Sequence, residues 1–159
     1  MSELFNSLDR LGIVHVTYDH PPVFTIEESK AHWQRIEAAH TKNLLLKDGT
    51  GAFWLIVMPA EERLELARLQ PKLGSKRLRF ASADELRRLL GVESGAVSPL
   101  SLLNDAHREV QLVIDERLSA EPKIAMHPLD NTRTTVIAFT DLLTFLGSIS
   151  VSPTIMALA

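Results

Sequence analysis

The sequence predicts an α+β or mixed-sheet domain. Short apolar runs bounded by turn residues are interspersed with leucine-rich segments at helical spacing, without a strict strand-helix-strand order. The chain has 159 residues, of which 45% are apolar and 23% charged, as is usual for one soluble globular domain. We therefore expect a single domain over residues 1–159.

The N-terminal part predicts a helix, a strand and a second helix. Apolar residues recur at helical spacing over residues 4–11, and Gly12 follows as a stop signal. Residues 13–18 alternate as a short strand before a corner with two prolines. Thr25 and Glu28 have the spacing of a capping box, which predicts that a brief helix starts there.

A buried hairpin is predicted at the centre of the chain. Residues 40–48 contain three consecutive leucines, as expected of a strand that is buried on both faces. The turn at residues 48–51 separates it from the apolar run 53–58, so the two strands should pair. Pro59 then stands at a natural first helical position, and residues 61–73 are predicted to form a helix.

The C-terminal half predicts further strands and two more helices. A strand near residues 78–80 precedes Ser82 and Glu85, which form a second capping box for a helix that ends at Gly91. Thr140 is expected to cap a last helix. The other strands are predicted over residues 110–115, 124–126 and 134–139, with a short turn or helix at 116–120.

Several kinds of chemistry are not expected. There is no cysteine, which excludes a disulfide scaffold, a thiol nucleophile and thiolate metal ligands, and which fits a cytoplasmic protein. The six histidines are scattered, and the sequence has no H-E-x-x-H, G-x-S-x-G, Walker A or G-x-G-x-x-G motif. We therefore expect neither a metal nor a nucleotide cofactor. No export signal and no membrane-spanning segment are expected either.

The net charge of −3 argues against a protein that coats DNA or RNA through its overall charge. A local basic patch nevertheless lies around a Gly-Ser pair and could hold phosphates. It consists of Lys72, Lys76, Arg77 and Arg79. An ordinary solvated connector explains the same residues equally well.

Lys42 stands at the polar start of the central strand. An ammonium held there over an internal cavity would have a fixed geometry and little water around it. Most lysines beside buried strands instead send their ammonium into water along an apolar stem. Local sequence alone favours this second interpretation.

Two loops are candidates for binding. Gly95 is free to take a positive φ, and Pro99 has a fixed φ. The N–H groups of the residues between them, Ala96, Val97 and Ser98, can therefore face a carbonyl oxygen. The alternative is a structural turn.

A polar corner follows a predicted strand end at His127 and extends to Asn131. A single histidine at such a turn more commonly bonds backbone than substrate.

Together these segments resemble a known family. They are T-K-N-L-L-L-K-D at residues 41–48, the G-x-x-x-P loop continuing through Asn104 and Asp105, and His127-Pro128 with Asn131. In this order they resemble the YbaK and prolyl-tRNA synthetase-associated editing domain family, over nearly the whole chain. The resemblance implies a mixed, partly barrel-like sheet surrounded by helices, and no requirement for metal.

The chain is most similar to freestanding family members that hydrolyse alanyl-tRNA(Pro). The resemblance implies that Lys42, Gly95 and Pro99 surround the ester at the acceptor end of the mischarged tRNA. Our hypothesis is that loop N–H groups hold the ester carbonyl and that Lys42 anchors the terminal phosphate or ribose. A ribose hydroxyl of the substrate would help to position water.

Selectivity is expected to depend on the size of the amino acid. Binding alone distinguishes two molecules that differ by one methylene by only about 1–3 kcal/mol. The predicted pocket walls are Ile26, Leu44, Val97 and Leu103, with Asn104, Asp105, His127 and Asn131 as further substrate-binding residues.

Two other functions stay open: the same fold acting on cysteinyl- or seryl-tRNA, and a noncatalytic module that binds tRNA or prolyl-tRNA synthetase through the basic patch.

Overall fold

A computed structural model describes residues 2–22, 25–33 and 35–158. The helices are α1 (Ser2–Arg10), α2 (Ile26–Trp33), α3 (Leu66–Leu73), α4 (Ala83–Leu90), α5 (Glu116–Ser119) and α6 (Phe139–Ser148), with a 3-10 helix at Pro99–Asn104. The strands are β1 (Val16–Asp19), β2 (Ala39–Lys47), β3 (Phe53–Pro59), β4 (Arg79–Phe80), β5 (Val110–Asp115), β6 (Lys123–Met126), β7 (Arg133–Ala138) and β8 (Thr154–Met156).

The described strands form one mixed sheet in the order β1-β7-β6-β2-β3-β5-β8, and β4 pairs with β2 beside this path. The β2–β3, β6–β7, β1–β7 and β2–β4 pairs are antiparallel. The β2–β6, β3–β5 and β5–β8 pairs are parallel. The predicted α+β class with a mixed sheet and surrounding helices is confirmed.

The central hairpin is buried on both faces, as predicted. Side chains alternate along a strand, so consecutive leucines point in opposite directions. Leu45 belongs to the main core, which is completed by α1, α4, the 3-10 helix and α6. Leu46 packs on the other side with Leu69 of α3. The hairpin therefore divides two apolar layers.

The predicted start of α3 is wrong. Pro59 ends β3, where it lies opposite Thr41, and the helix begins only at Leu66. A proline lacks the N–H that a sheet interior needs, but it is tolerated here because the ladder between β3 and β5 already ends at Val57. The segment before the helix makes tertiary contacts instead, including an ion pair of 2.6 Å between Glu62 and Arg117.

Two further differences lie near the C-terminus. The last helix starts at Phe139 after Ala138, without a side-chain cap, so the predicted cap at Thr140 is wrong. Thr140 lies inside the helix, where its carbonyl accepts a hydrogen bond from the Thr144 hydroxyl. The chain after α6 adds β8, which pairs in parallel with β5 and was not predicted.

Within the described residues, none of the helices combines the length and the apolar character needed to cross a membrane.

Candidate active site

The site lies at a gap in the sheet beside β2. One edge of β2 is paired with β3 along its length. The other edge is shared by two short strands: β6 pairs with it at Ala39 and His40, and β4 pairs with it at Leu46 and Lys47. No described strand pairs with this edge between those points. The middle of β2 therefore faces open space.

The hydrogen-bond pattern identifies which residue faces the gap. Even-numbered residues of β2 bond towards β3, as where the His40 carbonyl accepts from the Ala60 N–H at 3.0 Å. In an antiparallel ladder the residues between them turn their N–H and C=O to the opposite edge. The Leu45 carbonyl does so and accepts from the Ala81 N–H at 2.8 Å. Asn43 therefore presents its main chain to the gap.

A cavity of about 410 Å³ fills this gap. Five predicted site residues line it: Lys42, Leu44, Gly95, Val97 and His127. They come from β2, from the loop after α4 and from the end of β6. The structure therefore brings together the three segments that carry the family resemblance.

Lys42 is half-buried and also borders a second recess. Its ammonium donates a hydrogen bond to the Glu62 carbonyl in the segment before α3. Burial lowers the pKa of Lys42, and the nearby Glu62 carboxylate opposes that shift. One main-chain contact thus holds the lysine between the cavity and this segment. An anionic oxygen is a stronger acceptor than this neutral carbonyl and can compete for the Lys42 ammonium.

Asn43 carries an unused acceptor in the same cavity. The Thr41 hydroxyl donates to the Ala125 carbonyl at 2.8 Å, so it can only accept from the Asn43 amide nitrogen, 3.2 Å away. This contact fixes the orientation of the amide. Its oxygen is buried and has no hydrogen-bond partner in the described structure. Such an atom is costly to bury without a ligand.

The loop across the cavity contains Gly95 at φ +91°, in the left-handed region that favours glycine. The Ala96 N–H already donates to the Glu93 carbonyl at 3.1 Å. The Ser98 N–H lies 3.5 Å from the Ser101 hydroxyl oxygen. Among the described contacts, the Val97 N–H has no partner. Of the loop N–H groups, it is the one best placed to donate a hydrogen bond to a bound oxygen atom.

Three histidines form one wall of the site. The His20 ring stacks on His32 with a centroid distance of 5.1 Å and meets His127 edge-on at 6.0 Å. His127 Nδ1 donates to the Arg133 carbonyl at 2.7 Å, which leaves Nε2 of the neutral ring as an acceptor. Burial lowers the pKa of His127, and neighbouring His20 adds to the effect. The neutral ring is therefore favoured.

No group of three His, Asp or Glu side chains suited to a metal ion occurs in the described part of the chain.

Other predicted residues support the site from outside the cavity. Asn104 donates to the Leu90 carbonyl at 2.9 Å at the end of α4. Asp105 accepts from the N–H groups of Glu109 and Val110, each at 3.0 Å. Ala96, Ser98, Pro99 and Leu103 are packed into or against the core. Ser98 also accepts from the Leu100 N–H as the cap of the 3-10 helix.

Asn131 does not line the cavity either. The side chain of Ile26 lies outside what the structure describes, so its predicted place in the pocket wall stays a prediction.

The predicted basic patch lies on the surface next to β4. All four of its residues are exposed. Arg79 is paired with Glu85 at 2.9 Å, and Lys72 donates to the Ala157 carbonyl at 3.1 Å. No ion pair is found for Lys76 or Arg77 among the described residues. Arg79 precedes Phe80, which lines the cavity, whereas the Lys76 carbonyl accepts from the Gly49 N–H at 2.9 Å, so this part of the patch lies against the β2–β3 turn.

Sequence reasoning missed Asn43, His20, His32, Trp33, Phe80 and Thr134, all of which line the cavity. The available signal was weak. Asn43 follows Lys42 directly, and a polar pair before three leucines is unusual for a buried strand. The histidines become neighbours only when β1, α2 and β6 come together.

The fold is that of an aminoacyl-tRNA editing domain. A model of the aminoacyl-tRNA editing domain family matches residues 20–145, and the chain belongs to this family. The expected resemblance is therefore confirmed.

The relatives include the prolyl-tRNA editing protein ProX of Acetoanaerobium sticklandii. It is 40% identical over 137 residues, which cover 85% of this chain and 83% of that protein. The prolyl-tRNA synthetase associated domain-containing protein 1 of Danio rerio is 36% identical over 98% of this chain and 85% of its own length.

A solved structure of a protein proposed to be a trans-editing enzyme for prolyl-tRNA synthetase superposes with a TM-score of 0.71. It is 20% identical and covers 96% of this chain and 92% of its own. At this identity the likeness concerns the fold.

Proposed function

We propose that this protein is a trans-editing deacylase that hydrolyses alanyl-tRNA(Pro) to alanine and free tRNA. The observation that carries this proposal is the cavity in the gap of the sheet, where Lys42, the unpaired Asn43 oxygen and the Gly95 loop meet. Membership in the editing family and the 40% identity to ProX support the same substrate.

The polar groups of the cavity match the parts of an aminoacyl ester. The Asn43 oxygen can accept a hydrogen bond from the α-ammonium of alanine. The Val97 N–H can donate to the ester carbonyl and stabilise the oxyanion that develops during hydrolysis. Lys42 can exchange its Glu62 carbonyl contact for a phosphate or ribose oxygen of the terminal nucleotide.

An activated ester needs a placed water rather than a strong protein nucleophile. Water adds to the carbonyl carbon, the bond to the ribose oxygen breaks, and the ribose oxygen takes the proton released by the water. In this proposal, Nε2 of neutral His127 and the neighbouring ribose hydroxyl accept hydrogen bonds from the attacking water and hold it in place.

Selection of alanine over proline is proposed to depend on the apolar walls. Leu44 and Val97, which sequence analysis named, line the cavity together with Leu45 and Leu86. A proline ring needs more room than a methyl group, so a rigid wall can refuse it by steric clash. Leu103 is not included because it packs against the core.

Prolyl-tRNA synthetase is a proposed partner, since mischarged tRNA leaves that enzyme. The proposed location is the cytoplasm, where tRNA is charged.

Deacylation of cysteinyl- or seryl-tRNA is the alternative within the same fold. A noncatalytic tRNA- or synthetase-binding module is the alternative outside it.

The test is a time course with tRNA(Pro) charged with alanine, cysteine, serine or proline. The proposal expects alanyl-tRNA(Pro) to lose its amino acid fastest at catalytic amounts of protein and prolyl-tRNA(Pro) to stay intact. Faster loss of cysteine or serine would reassign the substrate. Binding of alanyl-tRNA(Pro) without turnover, even at excess protein, would favour the noncatalytic module.

A further inference from the structure

Phe80 is a large aromatic residue exposed at the cavity mouth. The residue is 56% exposed and also lines the cavity. The short strand β4 fixes its backbone, since Phe80 lies opposite Leu46 and the next residue, Ala81, donates its N–H to the Leu45 carbonyl. The strand thus holds Phe80 at a position where more than half of the residue is open to solvent.

Register places Phe80 on the same face of the sheet as Lys42. Residues directly opposite each other on antiparallel strands point to the same face, and residues two apart on one strand share a face. Phe80 therefore shares a face with Leu46, Leu44 and Lys42, while Asn43 and Leu45 point to the other face. Lys42 and Leu46 are four positions apart along the strand, a span of roughly 13 Å.

The resulting surface has an aromatic end and a cationic end, with Leu44 between them. A nucleoside phosphate has the same two parts, a flat base and an anionic or hydroxyl-rich backbone. Bases stack on exposed aromatic rings, and they do so with little dependence on sequence because every base has a π-face.

We infer that Phe80 is the stacking platform for the 3′-terminal nucleobase of the tRNA, with Lys42 holding the sugar-phosphate part of the same nucleotide. The aminoacyl ester then passes through the gap to the face of Asn43 and the Gly95 loop. This inference rests on the proposed function and adds a base-binding subsite to it.

The experiment uses two alanyl-tRNA(Pro) substrates assembled by chemical ligation, one ending in adenosine and the other in a ribose without a base. The kcat/KM for deacylation is measured for the unaltered protein, Phe80→Ala and Phe80→Trp. Loss of stacking onto one base corresponds to a change of about 5- to 150-fold. Phe80→Ala should lower kcat/KM by this factor on the adenosine substrate, mainly through KM, and Phe80→Trp should retain it.

The abasic substrate separates stacking from structural damage. With no base to stack, Phe80→Ala and the unaltered protein should hydrolyse it equally, because the two changes remove the same interaction. Ile155→Ala, at an exposed apolar residue of β8, is the matched control and should affect neither substrate.

An equal loss on both substrates, or no loss on the adenosine substrate, would overturn the platform while leaving the deacylase intact. If the unaltered protein hydrolysed neither substrate, the proposed function itself would fail, and the platform with it.

Discussion

Lys42 and Asn43 are adjacent residues that differ in whether their polar side-chain atoms have hydrogen-bond partners. The lysine ammonium has a main-chain acceptor at Glu62, whereas the Asn43 oxygen is buried without a partner. An unsatisfied buried oxygen lowers the free energy of unfolding by about 1–3 kcal/mol relative to a satisfied one. A position that serves folding alone would not keep such an atom, which supports a role for it in binding.

Replacing Asn43 by leucine should therefore raise stability while lowering activity. Asn43→Leu removes the unsatisfied oxygen and fills similar space, so we expect the free energy of unfolding to rise by about 1 kcal/mol. Deacylation of alanyl-tRNA(Pro) should fall by about tenfold or more, because the α-ammonium no longer has its acceptor. Urea denaturation and single-turnover kinetics measure the two effects.

Asn104 is the matched control, since its amide donates to the Leu90 carbonyl at 2.9 Å outside the cavity. Asn104→Leu should reduce the free energy of unfolding by about 1 kcal/mol and keep its activity per folded molecule. If both substitutions destabilised the protein and neither changed turnover, the proposed role of Asn43 would be wrong.

His127 predicts how stability depends on pH. Burial lowers its pKa in the folded state, so the unfolded chain binds the proton more tightly. The contribution of His127 to the free energy of unfolding is therefore complete above the unfolded pKa of about 6.5. It is lost as the pH falls below that value, by at most about 1.4 kcal/mol per pH unit. His40 is shifted in the same direction, also by burial.

We expect His127→Asn, whose amide can still donate to the Arg133 carbonyl, to weaken this pH dependence between about pH 7 and 5. Replacing the exposed His107 by asparagine should leave the slope unchanged. Denaturation midpoints across the pH range provide the measurement, and identical slopes in all three proteins would contradict the assignment to His127.

At the level of elements, the loop after α4 has to keep Val97 facing the cavity. Gly95 takes φ +91°, and Gly74 takes φ +65° at the end of α3, far along the chain from the loop. Placing a side chain in the left-handed region costs about 1–2 kcal/mol. Gly95→Ala and Gly74→Ala should therefore lower the unfolding free energy by similar amounts.

Only Gly95→Ala should also lower kcat for alanyl-tRNA(Pro), because it moves the Val97 N–H relative to the ester. We expect kcat to fall by about tenfold or more under conditions where both variants are fully folded by circular dichroism. A matching loss in Gly74→Ala would show that the effect follows stability rather than loop geometry.

The sequence predicted the helices and strands well where their stabilising contacts join residues that are close in sequence. The capping box of α4 is present, with Ser82 and Glu85 bonded reciprocally, and the β2–β3 hairpin forms around its predicted turn. The start of α3 was mispredicted because Pro59 suits the end of a strand as well as the start of a helix. Strand β8 depends on pairing with β5, which no local pattern encodes.

The candidate site was predictable only in part, for the same reason. Lys42, Gly95 and His127 could be named from motifs, and the structure places all three at the cavity. The gap itself depends on β6 and β4 pairing with β2 at separate points, and this register is a tertiary property. Residues that matter because they face the gap, such as Asn43 and Phe80, were therefore missed.

At the scale of the whole molecule, a net charge of −3 means that binding of tRNA depends on where the positive charges lie. Lys76 and Arg77 are exposed beside the β2–β3 turn, where the Lys76 carbonyl accepts from the Gly49 N–H. The double variant Lys76→Ala, Arg77→Ala should raise KM for alanyl-tRNA(Pro). It should also reduce the slope of log KM against log salt by about 0.7–0.9 for each phosphate that the protein no longer neutralises.

Arg10→Ala, at the end of α1, removes a positive charge outside the patch and should leave the salt slope unchanged. Equal slopes for the double variant and the unaltered protein would place the tRNA-binding surface elsewhere on the molecule.

The central claim is that the ester is cleaved in the gap beside β2, and Lys42→Met tests it most directly. Methionine keeps the apolar stem and removes only the ammonium, and Lys123→Ala, at an exposed lysine of β6, is the control. A charge-assisted hydrogen bond of about 1.5–3 kcal/mol predicts a loss of about 10- to 150-fold in kcat/KM for alanyl-tRNA(Pro). Full deacylation by Lys42→Met would contradict the account.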